Sequence, residues 1–459
     1  MSFKMRVCYN VYDIKKEDKK MRNWMKYTMI GLGGVSLVAC SSNPQSGENT
    51  DDDKNDLVFQ LEEPVEIEFW HAMSGGTEEA LKSIVDAFNN GVGKEKGITV
   101  NPVYQGSYDD LKSKVTAAIK ADTLPAIAQA YGTHISDYLQ SGKVQALDEF
   151  IFHNEVGIKD FDEIYEAYRN EVSQYDEAGT YYSLPFNKST EVLFYNKDFF
   201  NEHNLSVPTT WDEMEELSAQ IYDMTGNAAL GIDSTSNYFI TMVRQYGGDY
   251  TSQDGELTFA NGDAALKTLD LFKRNADAGY WRVAGEDQYI STPFINEKIM
   301  MYIGSSNGAS YVYNDNFEWD SAPIPQISDK TKTVIQQGTD VAVFNGNNTP
   351  EQVYAAYEFA KYLCSHEGNL AWVTQTGYLP IRPSVVESEE YQAYVKDSKD
   401  TTKISGPQQA DAYYFTPAFF TDKYSASQVR TEVGVAVENV ILGHEEPEVA
   451  LENLLNLFK

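Results

Sequence analysis

Apolar and polar positions in residues 57–459 alternate between two spacings. A period of two over 65–69 predicts a half-buried strand, and a helical spacing over 81–88, with Thr77 as the expected N-cap, predicts the helix that follows. A strand-like segment at 98–103, a helical pattern over 111–119 and an apolar run at 126–130 continue the series. Strands that alternate with helices favour an α/β layer with a mostly parallel sheet.

A second block of the same kind begins near 192–195. Thr210 and Glu213 have the spacing of a capping box, which opens a helix predicted to run through Ile221. Further helices are predicted over 264–276, 352–363, 429–442 and 449–457. No repeat of fixed period is present in the sequence, which excludes solenoids and propellers.

The segment before these blocks has the features of a processed leader. Residues 21–39 begin with Arg22 and Lys26 and continue in an apolar stretch that is short for a bilayer span. Residues 37–40 (LVAC) resemble a bacterial lipobox, which implies cleavage before Cys40 and a lipid on its sulfur. A buried helix with an incidental cysteine is the alternative, but residues 41–56 lack the apolar positions that would continue a core.

Residues 40–56 are therefore predicted to be a disordered, lipidated tether that holds the protein at the outer face of the cytoplasmic membrane. Residues 1–20 fit neither role. A ribosome-binding sequence can be encoded at 16–18, so Met21 is the predicted true start; a long basic leader is the alternative.

Charge excludes one large class of partners. The net charge is -33, and phosphate backbones are bound by clustered Lys and Arg, so nucleic acid is not an expected partner. Residues 1–39 hold eight of the 36 basic and three of the 69 acidic residues, so the chain from Cys40 onward carries a net charge of -38. After lipidation of Cys40 only Cys364 remains, and an intramolecular disulfide is excluded.

Common catalytic and metal motifs are missing. The sequence lacks a phosphate-binding G-x-x-x-x-G-K-[ST] loop, and its six His residues show no zinc spacing. The acidic run 51–53 lacks the glycine turn and terminal Glu of a calcium loop. The prediction is a protein with no cofactor and no metal, for which any ATP is hydrolysed by another subunit.

One hydrolase pattern does match. Residues 304–308 fit G-x-S-x-G around Ser306, and His366 and His444 follow in the order that a hydrolase requires. No stretch supplies an evident oxyanion hole, and a loop that offers hydroxyl and amide groups to a ligand explains the same residues. A membrane-anchored serine esterase, or a glycosidase whose carboxylate pair cannot be chosen from sequence, is the alternative function.

Several stretches resemble one known family. They are FWHAM (69–73), LPFNKST (184–190), LFYNK (193–197), PTTW (208–211) and TGYLPI (376–381). Together, and in this order over about 60–459, they are similar to the family 1 extracellular solute-binding proteins of ABC importers, of the sn-glycerol-3-phosphate-binding and carbohydrate-binding type.

This resemblance implies a two-lobed, type II periplasmic-binding fold. Lobe 1 would comprise 57–188 and 326–379, lobe 2 would comprise 189–325 and 380–459, and three segments near 187–192, 320–326 and 376–383 would cross between them. It also implies capture of a sugar or glycerol-3-phosphate-like solute by hinge closure, delivery to a permease with a separate ATPase, and no chemistry on the solute. We expect a monomer.

The resemblance also implies particular ligand contacts. They are Tyr108, Ser189, Ser305, Gly338, Tyr378 and Arg430. Tyr108 would stack on or hydrogen-bond the ligand, the two serines would offer hydroxyls, and Gly338 would offer its backbone.

Arg430 matches the basic residue that binds phosphate in the family, and it is expected in the first turn of a helix. A surface ion pair with Glu432 or Asp422 is the alternative role for this side chain.

Two positions depart from the family pattern. Gly132 follows Tyr131 where an acidic residue is expected, and Ser236, with Tyr238 and Phe239 nearby, stands where a cleft tryptophan is expected. Tyr131 and Ser236 remain candidate ligand contacts, but the hydroxyls that are recognised should differ. The sequence leaves open whether the solute is a neutral sugar or a glycerol phosphate.

Overall fold

A computed structural model describes residues 57–287 and 289–459. The predicted leader, the lipidation site Cys40 and the tether lie outside these residues. The strands are β1 (Val65–His71), β2 (Ile98–Tyr104), β3 (Ile127–Ala130), β4 (Leu184–Asn196), β5 (Leu230–Ile232), β6 (Trp281–Val283), β7 (Met301–Ser305), β8 (Trp319–Ala322), β9 (Val334–Val343) and β10 (Tyr413–Tyr414).

Helices separate most of these strands, as the spacing predicts. They are α1 (Gly75–Asn90), α2 (Val92–Lys96), α3 (Tyr108–Ala121), α4 (Gly132–Leu139), α5 (Asp148–Ile151), α6 (Glu166–Val172), α7 (Lys197–Glu202), α8 (Trp211–Thr225), α9 (Thr235–Gln245), α10 (Ala264–Asp277), α11 (Ser291–Ile295), α12 (Pro350–Cys364), α13 (His366–Gln375), α14 (Pro383–Val386), α15 (Glu389–Asp397), α16 (Thr402–Ser405), α17 (Ala426–Ile441) and α18 (Pro447–Asn456). Short 3₁₀ turns occupy Phe161–Glu163, Thr258–Ala260, Gly285–Asp287, Ser306–Tyr311 and Pro407–Ala412.

The strands form one mixed sheet in the order β2-β1-β3-β9-β4-β7-β5-β6, with β10 beside β9 and β8 beside β4. The outer strands pair in parallel, as the alternation of strand and helix predicts. The antiparallel pairings of the described strands all involve β4 or β9. The α/β class is confirmed, and the two long central strands make the sheet mixed.

Two separate large cores lie along this sheet. Core 1 contains Phe69, Phe186 and Trp372, and core 2 contains Leu193, Trp211 and Phe272. Alternate residues of the central strands enter different clusters on opposite faces, because successive side chains of a strand point to opposite sides. In β9, for example, 341 and 343 belong to core 1 whereas 342 belongs to a smaller cluster. Both faces of the sheet are therefore covered.

The middle of β4 is polar although the strand is almost wholly buried. Apolar ends flank the run 187–191 (NKSTE), in which each residue is at most 3% exposed. Leu184 packs in core 1 and Leu193 in core 2, so the chain passes from one core to the other within this polar run. The run falls in the segment where the first crossing was predicted.

The second passage between the cores differs from the prediction. Ile324 lies in core 2, and so do Val334 and Ile335, whereas Val341 lies in core 1. The chain therefore crosses within β9 and not at 320–326, because β8 still pairs with the core 2 end of β4. The lobe boundaries drawn from the resemblance stay a prediction.

Two helix N-termini were predicted from capping patterns in the sequence, and one of the two predictions is correct. Thr210 and Glu213 form the predicted capping box at the start of α8. The expected cap at Thr77 is wrong, since α1 begins at Gly75 and the Thr77 hydroxyl donates to the Ser74 carbonyl at 2.8 Å.

Within the part of the chain that the structure describes, no helix has the length and hydropathy needed to cross a membrane.

Candidate functional site

A cavity of about 350 Å³ lies where elements packed on both cores meet. It is lined by Asp109, Lys112, Tyr131, Gly132, Thr133, His134, Glu171, Gln174, Ser234, Ser236, Ile335, Gln336, Gln337, Gly338, Thr416, Ser427, Arg430, Thr431 and Gly434. These residues come from segments as far apart as α3 and α17, and most of them are polar. The lining suits a small polar solute that is enclosed on several sides.

The predicted site residues fall into connected groups. Tyr131, Ser236, Gly338 and Arg430 line the cavity. Behind Tyr131, the ring of Tyr108 lies 5.0 Å away between centroids.

The remaining predicted residues continue from these. The Tyr108 hydroxyl lies 3.3 Å from that of Tyr378. Ser305 Oγ donates to Ser189 Oγ at 3.2 Å, and Ser189 pairs with Gln337 in the sheet. The fold thus brings together residues that are distant in the sequence, with four on the cavity wall and the others adjoining.

Arg430 projects from α17 without a carboxylate partner among residues 57–287 and 289–459. Its guanidinium donates to Asn237 Oδ1, and the alternative ion pairs with Glu432 and Asp422 are not formed. Its positive charge lowers the pKa of Tyr131 on the cavity wall. Burial has the larger effect on that tyrosine and raises its pKa. Arg430 is the fifth residue of α17, so it lies just after the first turn and not within it as predicted.

His134 is a wall residue that the sequence analysis missed. Burial lowers the pKa of this histidine to about 3, and the nearby charges of Lys112 and Arg430 add to the lowering. The imidazole is consequently neutral at physiological pH, and it meets the Tyr131 ring edge to face with centroids 5.2 Å apart. It can offer one hydrogen-bond donor or acceptor without adding charge.

Two amides on β9 were also missed. Gln336 Nε2 donates to Glu171 Oε2, and the buried Oε1 atoms of Gln336 and Gln337 have no hydrogen-bond partner among the described residues. Because an ionised carboxylate only accepts hydrogen bonds, Glu171 fixes which end of the Gln336 amide is left unpartnered. These two residues therefore hold buried acceptor oxygens beside the cavity that no described group satisfies. A polar stretch in an otherwise apolar strand was the available signal.

Glu171 is held in turn by a buried ionic cluster. Lys188 Nζ lies 2.8 Å from Glu171 Oε2 and 2.5 Å from Asp340 Oδ1, and both Lys188 and Asp340 are fully buried. Burial alone would lower the pKa of Lys188, but the two carboxylates raise it. Burial raises the pKa of Asp340, and Glu171 adds to this because one cation serves two carboxylates. The cluster fixes β4, β9 and α6 to one another beside the cavity.

The carboxylates of the wall differ from the family pattern. Gly132 follows Tyr131 and lines the cavity, as its position in the pattern predicts, but it offers no side chain. Asp109 and Glu171 line the same cavity from other elements. The carboxylates of this wall therefore come from α3 and α6 and not from position 132.

Gly338 adopts a backbone conformation that favours glycine. Its φ is 104°, and a Cβ added there would overlap the carbonyl oxygen of Asn187 and lie 2.8 Å from the Cα of Lys188. We expect Gly338→Ala to lower the free energy of unfolding by about 2 to 3 kcal/mol, from strain and overlap together. Guanidinium unfolding measures this loss.

Gly226→Ala is the matched control for this substitution. Gly226 also has a positive φ, 68°, but an added Cβ would meet no atom within 4 Å. The expected cost is about 1 kcal/mol, from the backbone conformation alone. Equal losses in the two variants would contradict the proposed overlap at Gly338.

Ser306 lacks the setting of a nucleophile. It is fully buried, and its Oγ accepts a hydrogen bond from the Thr190 amide at 3.4 Å. Neither His366 nor His444 hydrogen-bonds it in the described structure. A buried serine without a nearby base does not support the esterase alternative. Among the residues that the structure describes, no group of three or more His, Cys, Asp or Glu side chains is arranged to hold a metal ion.

Comparisons with known proteins agree with this architecture. The sn-glycerol-3-phosphate-binding periplasmic protein UgpB of Pectobacterium atrosepticum is 26% identical over 409 residues, which are 84% of this chain and 89% of that protein. The crystal structure of UgpB from Mycobacterium tuberculosis in complex with glycerophosphocholine has a TM-score of 0.74 at 20% identity, covering 85% of this chain and 97% of that one. The substrate-binding protein Lmo0181 from Listeria monocytogenes, in complex with cycloalternan, has a TM-score of 0.73 at 19% identity, covering 86% and 98%.

These structural likenesses confirm the predicted two-lobed fold. The family model described as bacterial extracellular solute-binding protein matches residues 83–397, which is more than half of the chain. The chain therefore belongs to the bacterial extracellular solute-binding proteins.

Proposed function

We propose that this protein is the substrate-binding component of an ABC importer and that it captures a small polyhydroxylated solute carrying an anionic group. One observation carries the proposal: the guanidinium of Arg430, without a carboxylate partner among the described residues, lines a cavity of about 350 Å³ together with hydroxyl and amide groups. A guanidinium in an enclosed site is suited to a phosphate or carboxylate. The relatives named for sn-glycerol-3-phosphate and glycerophosphocholine support a glycerol phosphate.

The size of the cavity bears on the ligand class. About 350 Å³ is near the lower end of the range for small-molecule sites. Such a volume suits a glycerol phosphodiester or one sugar ring better than a long oligosaccharide. Neutral carbohydrate is the second ligand class, because Tyr131 and the amides of β9 also suit sugar rings and hydroxyls.

A binding experiment tests the proposal. Purified protein would be titrated calorimetrically with glycerophosphocholine, sn-glycerol-3-phosphate, glucose and maltotriose, and each mixture would be analysed for products. We expect saturable one-to-one binding of the glycerol phosphates without turnover, and thermal stabilisation of about 2.7 kcal/mol at 100 times Kd. Binding of none of the four compounds, or product formation, would contradict the proposal.

Solute capture requires the cleft to close. Hydrogen bonds at the mouth of the cleft, between α3 and α4 on one side and α17 on the other, support such a closure. Lys112 donates to Ser427 Oγ at 2.7 Å, and Ser427 Oγ donates to Asp137 Oδ2 at 2.7 Å. Lys112 and Asp137 belong to α3 and α4, whereas Ser427 belongs to α17, which packs on core 2. A second contact joins the amide of Ala418 to Gln174 at 2.8 Å.

We expect Ser427→Ala to weaken the affinity for glycerophosphocholine about fivefold. The substitution removes hydrogen bonds that hold the mouth closed, at a cost of about 1 kcal/mol. Ser141→Ala is the control, because its hydroxyl donates locally to the Tyr138 carbonyl at 2.6 Å. Calorimetry gives the affinities, and small-angle scattering should report a more extended ligand-free Ser427→Ala protein. Unchanged affinity would exclude a role of this contact in closure.

The importer assignment implies partners and a location. We propose a monomer that delivers its solute to a permease with a separate ATPase and that is anchored by a lipid on Cys40 at the outer face of the cytoplasmic membrane. The lipobox-like residues 37–40 support the anchor. Metabolic labelling with a fatty acid should mark the wild-type protein and not Cys40→Ser; labelling of both would exclude this anchor.

A further inference from the structure

A row of three polar side chains extends behind the cavity wall. Asn237 Nδ2 donates to Glu191 Oε1 at 2.8 Å, and Arg430 donates to Asn237 Oδ1. The three residues come from β4, α9 and α17. Glu191 is 2% exposed and Asn237 is 1% exposed, so only the arginine reaches the cavity.

The amide in the middle has two different ends. An ionised carboxylate can only accept hydrogen bonds, so Glu191 requires the NH₂ group of Asn237 to face it. The carbonyl oxygen of Asn237 is then directed at Arg430, which can only donate. Glu191 thereby determines how the guanidinium is held, although it does not reach the cavity.

Charge connects the same residues. Burial raises the pKa of Glu191 to about 7, the Asn237 hydrogen bond and Arg430 lower it, and Asp233 raises it. A bound anion would offset the positive field of Arg430 and favour the protonated acid. By linkage, the protonated acid would in turn favour the bound anion.

We propose that Glu191, acting through Asn237, is the positioning residue of Arg430 and that capture of an anionic solute is coupled to proton uptake at Glu191. This inference rests on the proposed function. The proton comes from solvent and no covalent bond to the solute forms or breaks. A solute without an anionic group at the same place would show no such coupling.

Calorimetry with glycerophosphocholine tests the coupling, because neither its phosphodiester anion nor its choline cation titrates from pH 6 to 8.5. We expect the affinity to be about fivefold higher at pH 6 than at pH 8.5, within the limit of tenfold per pH unit for one proton. Titrations at pH 7.5 in buffers of different ionisation enthalpy should show proton uptake. His134 does not titrate in this range, since burial lowers its pKa to about 3.

Glu191→Gln should flatten the pH profile, and Glu438→Gln is the matched control. Glu438 is an exposed acid on α17, and its substitution makes the same change in charge without touching Arg430. Asp340, whose pKa burial also raises, is present in both variants, so the difference between them isolates Glu191.

The outcomes separate the two proposals. If the wild type binds glycerophosphocholine without proton uptake, or if Glu191→Gln keeps the wild-type pH profile, the coupling is overturned and the proposed function stands. Binding of none of the tested solutes overturns both. The buffer series uses only wild-type protein, so an absence of proton uptake there overturns the coupling even where Glu191→Gln fails to fold.

Discussion

Arg430→Ala should raise the Kd for glycerophosphocholine on the order of 100-fold or more. The guanidinium lines the cavity and has no carboxylate partner among the described residues, so its removal would take away the cation expected to pair with the phosphate. Truncation of one member of such a pair costs about 2 to 5 kcal/mol. Calorimetry at pH 6.5 would measure the change.

Two further variants identify the cause of that loss. Arg430→Lys retains the charge but not the planar fork, and we expect an intermediate affinity. Arg274→Ala removes an arginine that is paired with Glu215 at 2.5 Å, away from the cavity, and should leave Kd unchanged. Glucose affinity should change less than about fivefold in all three variants, since a neutral hydroxyl loses only an ordinary hydrogen bond. A Kd for glycerophosphocholine that survives Arg430→Ala would show that the anion lies elsewhere.

The secondary structure could be predicted where patterns are local. The capping box at Thr210 and the apolar spacing of α12 and α17 each depend on residues within a few turns, and the structure has these elements near the expected bounds. The path of the chain between the cores is not local. The crossing in β9 depends on β8 pairing with β4, which no spacing along the sequence reveals.

The candidate site was predictable only through resemblance. Tyr131, Gly338 and Arg430 have no sequence spacing that would bring them together, and only the family pattern predicted that they would meet. His134 was missed because a lone histidine carries no signal until its neighbours in space are known. The polar middles of β4 and β9 were visible in the sequence, and they mark strands whose buried polar groups must find partners.

Lys188→Met should destabilise the fold by about 3 to 5 kcal/mol at pH 8. Lys188 is fully buried between Glu171 and Asp340, and its loss leaves two largely buried carboxylates without the cation that pairs with them. Lys267→Met is the control. Lys267 is exposed and pairs with Asp263 one helical turn away, an interaction worth about 0.5 kcal/mol or less. Guanidinium unfolding gives both values.

The pH dependence of this loss distinguishes charge from packing. Burial already raises the native pKa of Asp340, and without the lysine that pKa rises further above the unfolded value of about 4, so the native state binds more protons than the unfolded chain between those limits. Stability of the variant therefore falls as pH rises, and its deficit should shrink between pH 8 and pH 5. A deficit equal at both pH values would mean that lost packing dominates. Adding Asp340→Asn to Lys188→Met should recover part of the stability at pH 8, because it removes one of the two uncompensated carboxylates.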